Sequence, residues 1–338
     1  MNAPAELAGL APEAGAAEHD RTKFLGGSDA AAVMGLSPWA TPLELWQQKT
    51  GRKPKVPPTK AQMRRYARGH KLEPFIRDMV IDKLIDMGLE VELLACNERY
   101  TDPECSFLSC EIDFELRLTG EVLIGDEYVT FDREHVSADA KSVTGFARKK
   151  WGAEDTEDVP IEYACQFMFG HMVTGRRYCL VAALRSFDDV DVFWTVRDED
   201  TIAAMRPKLV SFWLDHVLAD VPPDPFNFSD IKLLFPADNG QAIEATTDIA
   251  EKVAQLRDVK SRIKDFEEAE KALVFEIGDF MSPNARLTYE GRDLLTWKGQ
   301  DDSRIDVTAL RDELPDVAAR FTNTKVVRVM RLAKPKRK

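Results

Sequence analysis

The chain has 338 residues, 44% of them hydrophobic and 31% charged, enough apolar material for one large core plus an appendage and no bias toward a disordered or fibrous chain. No apolar run reaches the roughly 20 residues that span a bilayer, and the alanine-rich start lacks the basic and apolar regions of a secretory signal, so the cytoplasm is the expected location and no membrane partner is expected. Five cysteines, an odd number with no Cys-x-x-Cys pair, argue for reduced thiols and against a disulfide framework, a zinc site or an iron–sulfur cluster.

Residues 1–18 read as a flexible tail. From Phe24 to Trp39 a glycine turn feeds a short helix with Ser28 or Asp29 near its cap, and Thr41, Pro42 and Glu44 have the N-cap, N1 and N3 pattern of a second helix. Gly26 and Gly27 permit close backbone approach, and Ser28 with the free amides of a helix start can donate to a phosphate; a simply capped helix explains the same residues. The formal net charge of −12 argues against a polyanionic ligand, yet between Lys49 and Leu72 there are nine Lys or Arg residues, among them Lys55, Arg64, Arg65 and Arg68, and no Asp or Glu. Charge is screened over about 10 Å at 0.1 M salt, so such a band can hold a nucleic-acid backbone while the remainder stays acidic; a solvated helix face is the alternative.

Residues 52–60, with three prolines, suggest an extended surface loop, and apolar spacing predicts a helix over 62–87 with a break at Gly69 or Pro74. Glu73 lies in that helix, where it either faces a site or pairs with Arg77. Strands are expected at about 90–99, 106–118 and 129–143. Asp139 and Lys141, two residues apart on the last, project from one face, and Asp113 on a neighbouring strand can complete an anionic pocket beside the amine. Two carboxylates and a lysine suit phosphodiester cleavage, in which acids hold Mg²⁺ and an amine positions the nucleophile or offsets developing charge. An Asp-x-Lys pair also occurs on ordinary solvated strand edges.

A helix over 160–175 carries Tyr163 and Gln166 near its start, a strand pair at 177–185 and 190–197 turns at Asp188-Asp189, and 200–219 is helical, giving a mixed α/β domain. His70 and His171 suggest surface or packing residues, and Trp39 and Trp46 core anchors. The sequence divides into a nuclease-like domain at 19–220, a proline-interrupted linker at 221–240 and a C-terminal region at 241–338. The last holds a long helix from Asp248 to Met281, with Asp248 and Glu251 as a capping pair and a pattern too broken to assert a coiled coil. A hairpin turning at Glu290-Gly291 and a final strand at 324–332 follow.

In this order, the stretches Leu25–Trp39, Thr41–Trp46, Gly69–Pro74, Ile112-Asp113, Asp139-Ala140-Lys141, Tyr163–Gln166 and Leu294–Lys298 resemble the YqaJ-like viral recombinase family. That family comprises relatives of phage lambda exonuclease among the PD-(D/E)xK nucleases, and the similarity spans roughly Arg21–Leu218. The resemblance implies an α/β, restriction-endonuclease-like core, a mixed central sheet flanked by helices, with a C-terminal helix-plus-β extension. It implies an exonuclease that degrades one strand of linear duplex DNA from its 5′ end, releasing 5′-mononucleotides and leaving a 3′ tail for recombination.

By the same resemblance Glu73, Asp113 and Asp139, with the Ala140 carbonyl, would hold one or two Mg²⁺ ions, for which Mn²⁺ can substitute. Lys141 and Gln166 would be active-site residues, and Arg21 and Ser28 would bind a terminal phosphate, with Arg64, Arg65 and Arg68 on the DNA backbone. Expected partners are duplex ends, a single-strand annealing recombinase and further copies of the chain, in a ring-like oligomer. Asp139 stands where the family usually has Glu, and Cys110-Glu111-Ile112-Asp113-Phe114 replaces the usual surroundings of the first acid, which makes Glu111 a rival ligand. A nicking or structure-selective endonuclease, and an inactive DNA-binding or phage assembly protein, are the other readings.

Overall fold

A computed structural model describes residues 20–53, 59–143, 149–154, 156–185 and 189–333. The expected N-terminal tail, most of the proline-rich loop including Lys55, and Asp188 of the expected turn lie outside the described residues. The chain divides into two compact units, the first ending at Ile231 and the second beginning at Lys232, inside the stretch read as a linker.

The first unit is built on a five-stranded sheet of β1 (Glu90–Thr101), β2 (Ser109–Ile124), β3 (Glu127–Ser142), β4 (Tyr178–Leu184) and β5 (Asp191–Val196), side by side in that order. All neighbours are antiparallel except β3 and β4, which run parallel. A parallel neighbour requires a crossover, and α4 (Ile161–Thr174) lies in it. The mixed sheet flanked by helices that the sequence led us to expect is therefore present.

On one face of the sheet Ile76, Val80 and Leu84 pack with Phe114, Leu116, Val136, Leu180 and Trp194. They belong to α3 (Lys60–Asp86), one continuous helix with no break at Gly69 or Pro74. Pro74 is exposed, so the carbonyl that loses its partner lies on the solvent side and the helix persists. The opposite face carries Val181, Ala183 and Phe193, covered by Phe167 of α4 and by Trp151. Each such side chain contributes about 1.5–3 kcal/mol on full burial, so the sheet is anchored from both sides.

Short helices α1 (Gly27–Val33) and α2 (Pro42–Lys49) precede the sheet. The Thr41 and Glu44 capping box forms as expected, while in α1 the cap is Gly26, whose amide donates to Asp29. Trp46 is buried and donates to the His216 carbonyl. Trp39, expected as a second core anchor, is 65% exposed because it lies in the connection between α1 and α2 and not on a buried helical face. Helix α5 (Glu199–Ser211) continues into π-helical turns at Phe212–Leu218, and α6 (Phe228–Leu234) follows in the stretch read from sequence as a linker.

The second unit contains α7 (Thr247–Met281) and the hairpin of β6 (Arg286–Tyr289) and β7 (Arg292–Thr296), as expected. The cap of α7 is Thr246 and not Asp248; the helix starts early enough to place Asp248 inside it, where it pairs with Lys252. The final strand expected at 324–332 is absent, because β6 and β7 pair with each other and no described strand pairs with it. Two helices not anticipated, α8 (Val307–Glu313) and α9 (Pro315–Arg320), precede that stretch.

Candidate active site

The sheet parts at its centre. Pairing of β2 with β3 begins at Ile124↔Glu127 and ends at Phe114↔Ala138. Beyond that rung β2 stays on β1 as far as Ser109↔Thr101, and β3 stays on β4 as far as Ser142↔Leu184. Asp113 and Asp139 are the first residues of the two diverging arms. With its ladder partner gone, the Ala140 amide donates instead to Asp113 Oδ2 at 2.9 Å, which fixes the first carboxylate against the strand of the second. The alternation of β3 puts Lys141 on the Asp139 side, and its Nζ meets Asp139 Oδ1 at 2.5 Å.

A cavity of about 500 Å³ opens into this fork, lined by Asp139, Lys141, Gln166, Arg21, Ser28 and Arg99 among others. Burial and the neighbouring Asp139 charge push the Asp113 carboxyl well above the usual carboxylate range, against the opposing pull of Lys141 and the Ala140 amide. Burial disfavours the Lys141 ammonium, but Asp139 and Asp113 outweigh it and hold its pKa above the ordinary lysine value. Tyr163 and Phe167 of α4 place their rings 5.3 and 5.7 Å from the ammonium, a cation–π setting that further steadies it.

These groups test whether a hard divalent cation fits. The pair supplies carboxylate oxygens, the ligand class such ions prefer. Asp139 Oδ1 is buried and paired with the Lys141 ammonium, and burial with the Asp139 charge outweighs the pull of Lys141 on Asp113. Two carboxylates that share one ammonium have the donor chemistry for an added cation. Among the described residues no three His, Cys, Asp or Glu side chains converge closely enough to hold an ion. The expected three-acid cradle is therefore a two-carboxylate pair with Glu73 outside it: the Glu73 charge is felt at Asp113, while its carboxylate pairs with His70 at 3.3 Å and not with Arg77.

Gln166 comes from the crossover helix and donates to Asp139 Oδ2 at 3.1 Å. Its seat depends on Gly27, where a Cβ would stand 3.1 Å from Gln166 Cγ and 3.3 Å from its carbonyl oxygen, closer than side chains ordinarily approach. The same turn carries Ser28, which accepts from Arg21 at 2.6 Å. Both expected phosphate binders thus stand at the cavity with Gln166. Arg64, Arg65 and Arg68 lie exposed on the N-terminal half of α3, outside the cavity lining.

Three contributors were not singled out from the sequence. Lys49, counted only within the basic band, is buried and donates to the carbonyls of Arg21 and Phe24 and to Asp29, each at 2.7 Å. Burial lowers its pKa, with Asp29 opposing. It ties down the loop that carries Arg21 and Ser28. Arg99 lines the cavity, its guanidinium 4.0 Å from the Phe24 ring centre. Its register partner is Glu111, the rival ligand, which is exposed and lines the same cavity. Only strand register could have revealed Arg99. The third is a cluster in which the buried Glu115, on the same strand as Asp113, meets Arg176 and the exposed His135, each at 3.0 Å.

The chain is 26% identical over 306 residues to "Uncharacterized protein YqaJ" of Bacillus subtilis (strain 168), covering 88% of this chain and 87% of that one. Among solved structures, an alkaline exonuclease, LHK-Exo, from Laribacter hongkongensis aligns at 17% identity over 60% of this chain and 91% of its own, with a TM-score of 0.40. A phage-related exonuclease from Haemophilus somnus 129PT aligns at 11% identity over 58% and 96%, with a TM-score of 0.37. Residues 18–177, which contain the fork, both carboxylates, the lysine and the glycine turn, match the model of the YqaJ-like viral recombinase domain.

Proposed function

We propose that the chain is a metal-dependent deoxyribonuclease that digests linear duplex DNA from the 5′ end, leaving a 3′ single-stranded tail. The observation that carries this reading is the Asp113–Asp139 pair with Lys141 on it, beside a cavity that Asp139, Lys141, Arg21 and Ser28 line together. The names of the aligned exonucleases agree with it. What Mg²⁺, or Mn²⁺ in its place, supplies at two such carboxylates is a lowered pKa for attacking water and relief of charge on the scissile phosphate.

The chain's own residues would divide the work by position. Asp113 and Asp139, with the Ala140 carbonyl beside them, would hold the ion, and Glu73 would add negative potential from outside the pair. Lys141 stays protonated between carboxylates and faces the phosphate, where a fixed cation favours the transition state over the ground state. Gln166 keeps Asp139 oriented. Arg21 and Ser28 receive a phosphate, while the exposed arginines of α3 contribute non-specific backbone attraction. The single strand left behind is a natural substrate for an annealing protein.

The experiment is a time course on linear duplex labelled separately at each strand end, with and without Mg²⁺, run beside closed circular duplex. We expect loss of label from the 5′ end first, only with the ion, and no action on the circle. Lys141→Ala should slow digestion by about 10²–10³-fold with its circular-dichroism spectrum unchanged. Cleavage of the circle would favour a nicking enzyme, and tight binding with no cleavage in Mg²⁺ or Mn²⁺ would favour a binding protein.

A further inference from the structure

The longest helix has no role in the site described above. It runs unbroken from Thr247 to Met281. Numbered in sevens with Ile249 at position a, every a and d position between Ile249 and Leu273 is apolar except Lys252 at d and Glu270 at a. The six apolar ones are exposed, from 37% at Leu256 to 69% at Phe266. A stripe of period 3.5 sustained over about 36 Å of helix, at about 1.5 Å per residue, is the pattern of a helix that faces another helix.

The two charged positions identify the partner and its direction. In a parallel pair of copies Lys252 would face Lys252 and Glu270 would face Glu270, two like-charge contacts inside an apolar seam. In an antiparallel pair a positions meet d positions, and with the axis at Ser261 the layers are Ile249 with Leu273, Leu256 with Phe266, Val259 with Ile263, and Lys252 with Glu270. Each lysine then meets a glutamate, and every other layer is apolar. The positions that interrupt the stripe lie equally far on either side of Ser261, so one register resolves both at once.

We infer that α7 is a self-association element through which two copies of this chain pair antiparallel about Ser261, the Lys252 of each against the Glu270 of the other. The inference does not depend on nuclease activity. Sedimentation equilibrium of the full chain tests it, using the wild type, Lys252→Glu, Glu270→Lys and the double exchange, with far-ultraviolet circular dichroism reporting helix content. We expect the wild type to associate through a two-fold step, each single exchange to raise the dissociation constant about tenfold or more, and the double exchange to restore it. A monomeric wild type, association indifferent to the single exchanges, or a double exchange no better than either single one would each overturn the proposal.

Discussion

The Gln166 carboxamide donates to Asp139 Oδ2 from a helix turn that lies so close to Gly27 that an added Cβ would stand 3.1 Å from Gln166 Cγ. Orientation of the second carboxylate is thus coupled to the glycine turn that carries Ser28. Gly27→Ala must move Gln166 or the turn, and we expect a loss of about 1–3 kcal/mol from overpacking together with slower DNA digestion. Thermal melts and initial rates check this; a variant that melts lower but digests at the wild-type rate would show that the coupling is structural only.

The repulsion between Asp113 and Asp139 gives an opposite expectation for a different substitution. Asp113→Asn keeps an acceptor for the Ala140 amide and removes a charge that burial and Asp139 both disfavour. Without added ion this variant should be more stable than the wild type by about 1 kcal/mol or more. Added Mg²⁺ should stabilise the wild type by about 2.7 kcal/mol at a hundred times its dissociation constant, and the variant little. Equal Mg²⁺ responses in the two proteins would count against an ion at this pair.

Lys49 is a cation whose three partners hold the loop of Arg21 and Ser28. Lys49→Met retains the apolar stem and leaves Asp29 without its closest cation, at a cost of about 3 kcal/mol. If the loop receives a terminal phosphate, this variant and Ser28→Ala should both lose discrimination between phosphorylated and dephosphorylated 5′ ends. Competition between the two substrates measures it, and retained preference in both variants would remove the loop from that role.

His171 supplies a pH expectation. Its Nδ1 lies 2.9 Å from the Arg176 carbonyl, which can only accept, so that nitrogen carries the proton and Nε2 accepts from Thr195 at 3.0 Å. Burial lowers its pKa from 6.5 to about 4. The unfolded chain therefore binds the proton more readily, so stability is full above about pH 6.5 and is lost as pH falls toward 4, by about 3 kcal/mol in all. Denaturant melts across that range, compared with His171→Gln, should show a difference that shrinks with acidification; a constant difference would mean the imidazole is not held neutral.

What could be read from residues alone followed from periodicity. Alternation located the strands, three- and four-residue spacing located α3, α4 and α7, and Asp139 and Lys141 were found because residues two apart on a strand share a face. Trp39 was misplaced because an apolar aromatic beside a helix looks the same in sequence whether it faces the core or solvent. The stretch at 324–332 has strand character without a described partner, and strand character does not supply one. Lys49 and Arg99 escaped notice for another reason: their importance arises from what the chain brings beside them, the carbonyls of a loop more than twenty residues away and a cross-strand neighbour.

The parting of β2 from β3 has a mechanical consequence. A site whose acids sit on loops takes its spacing from whatever holds the loops still, whereas both acids of this one sit on strands laced along their outer sides, one to β1 and the other to β4. The gap between Asp113 and Asp139 is then as stiff as those two lacings. Warming should leave the spacing of the acids intact until the sheet itself gives way, so activity and tertiary structure should disappear in a single step.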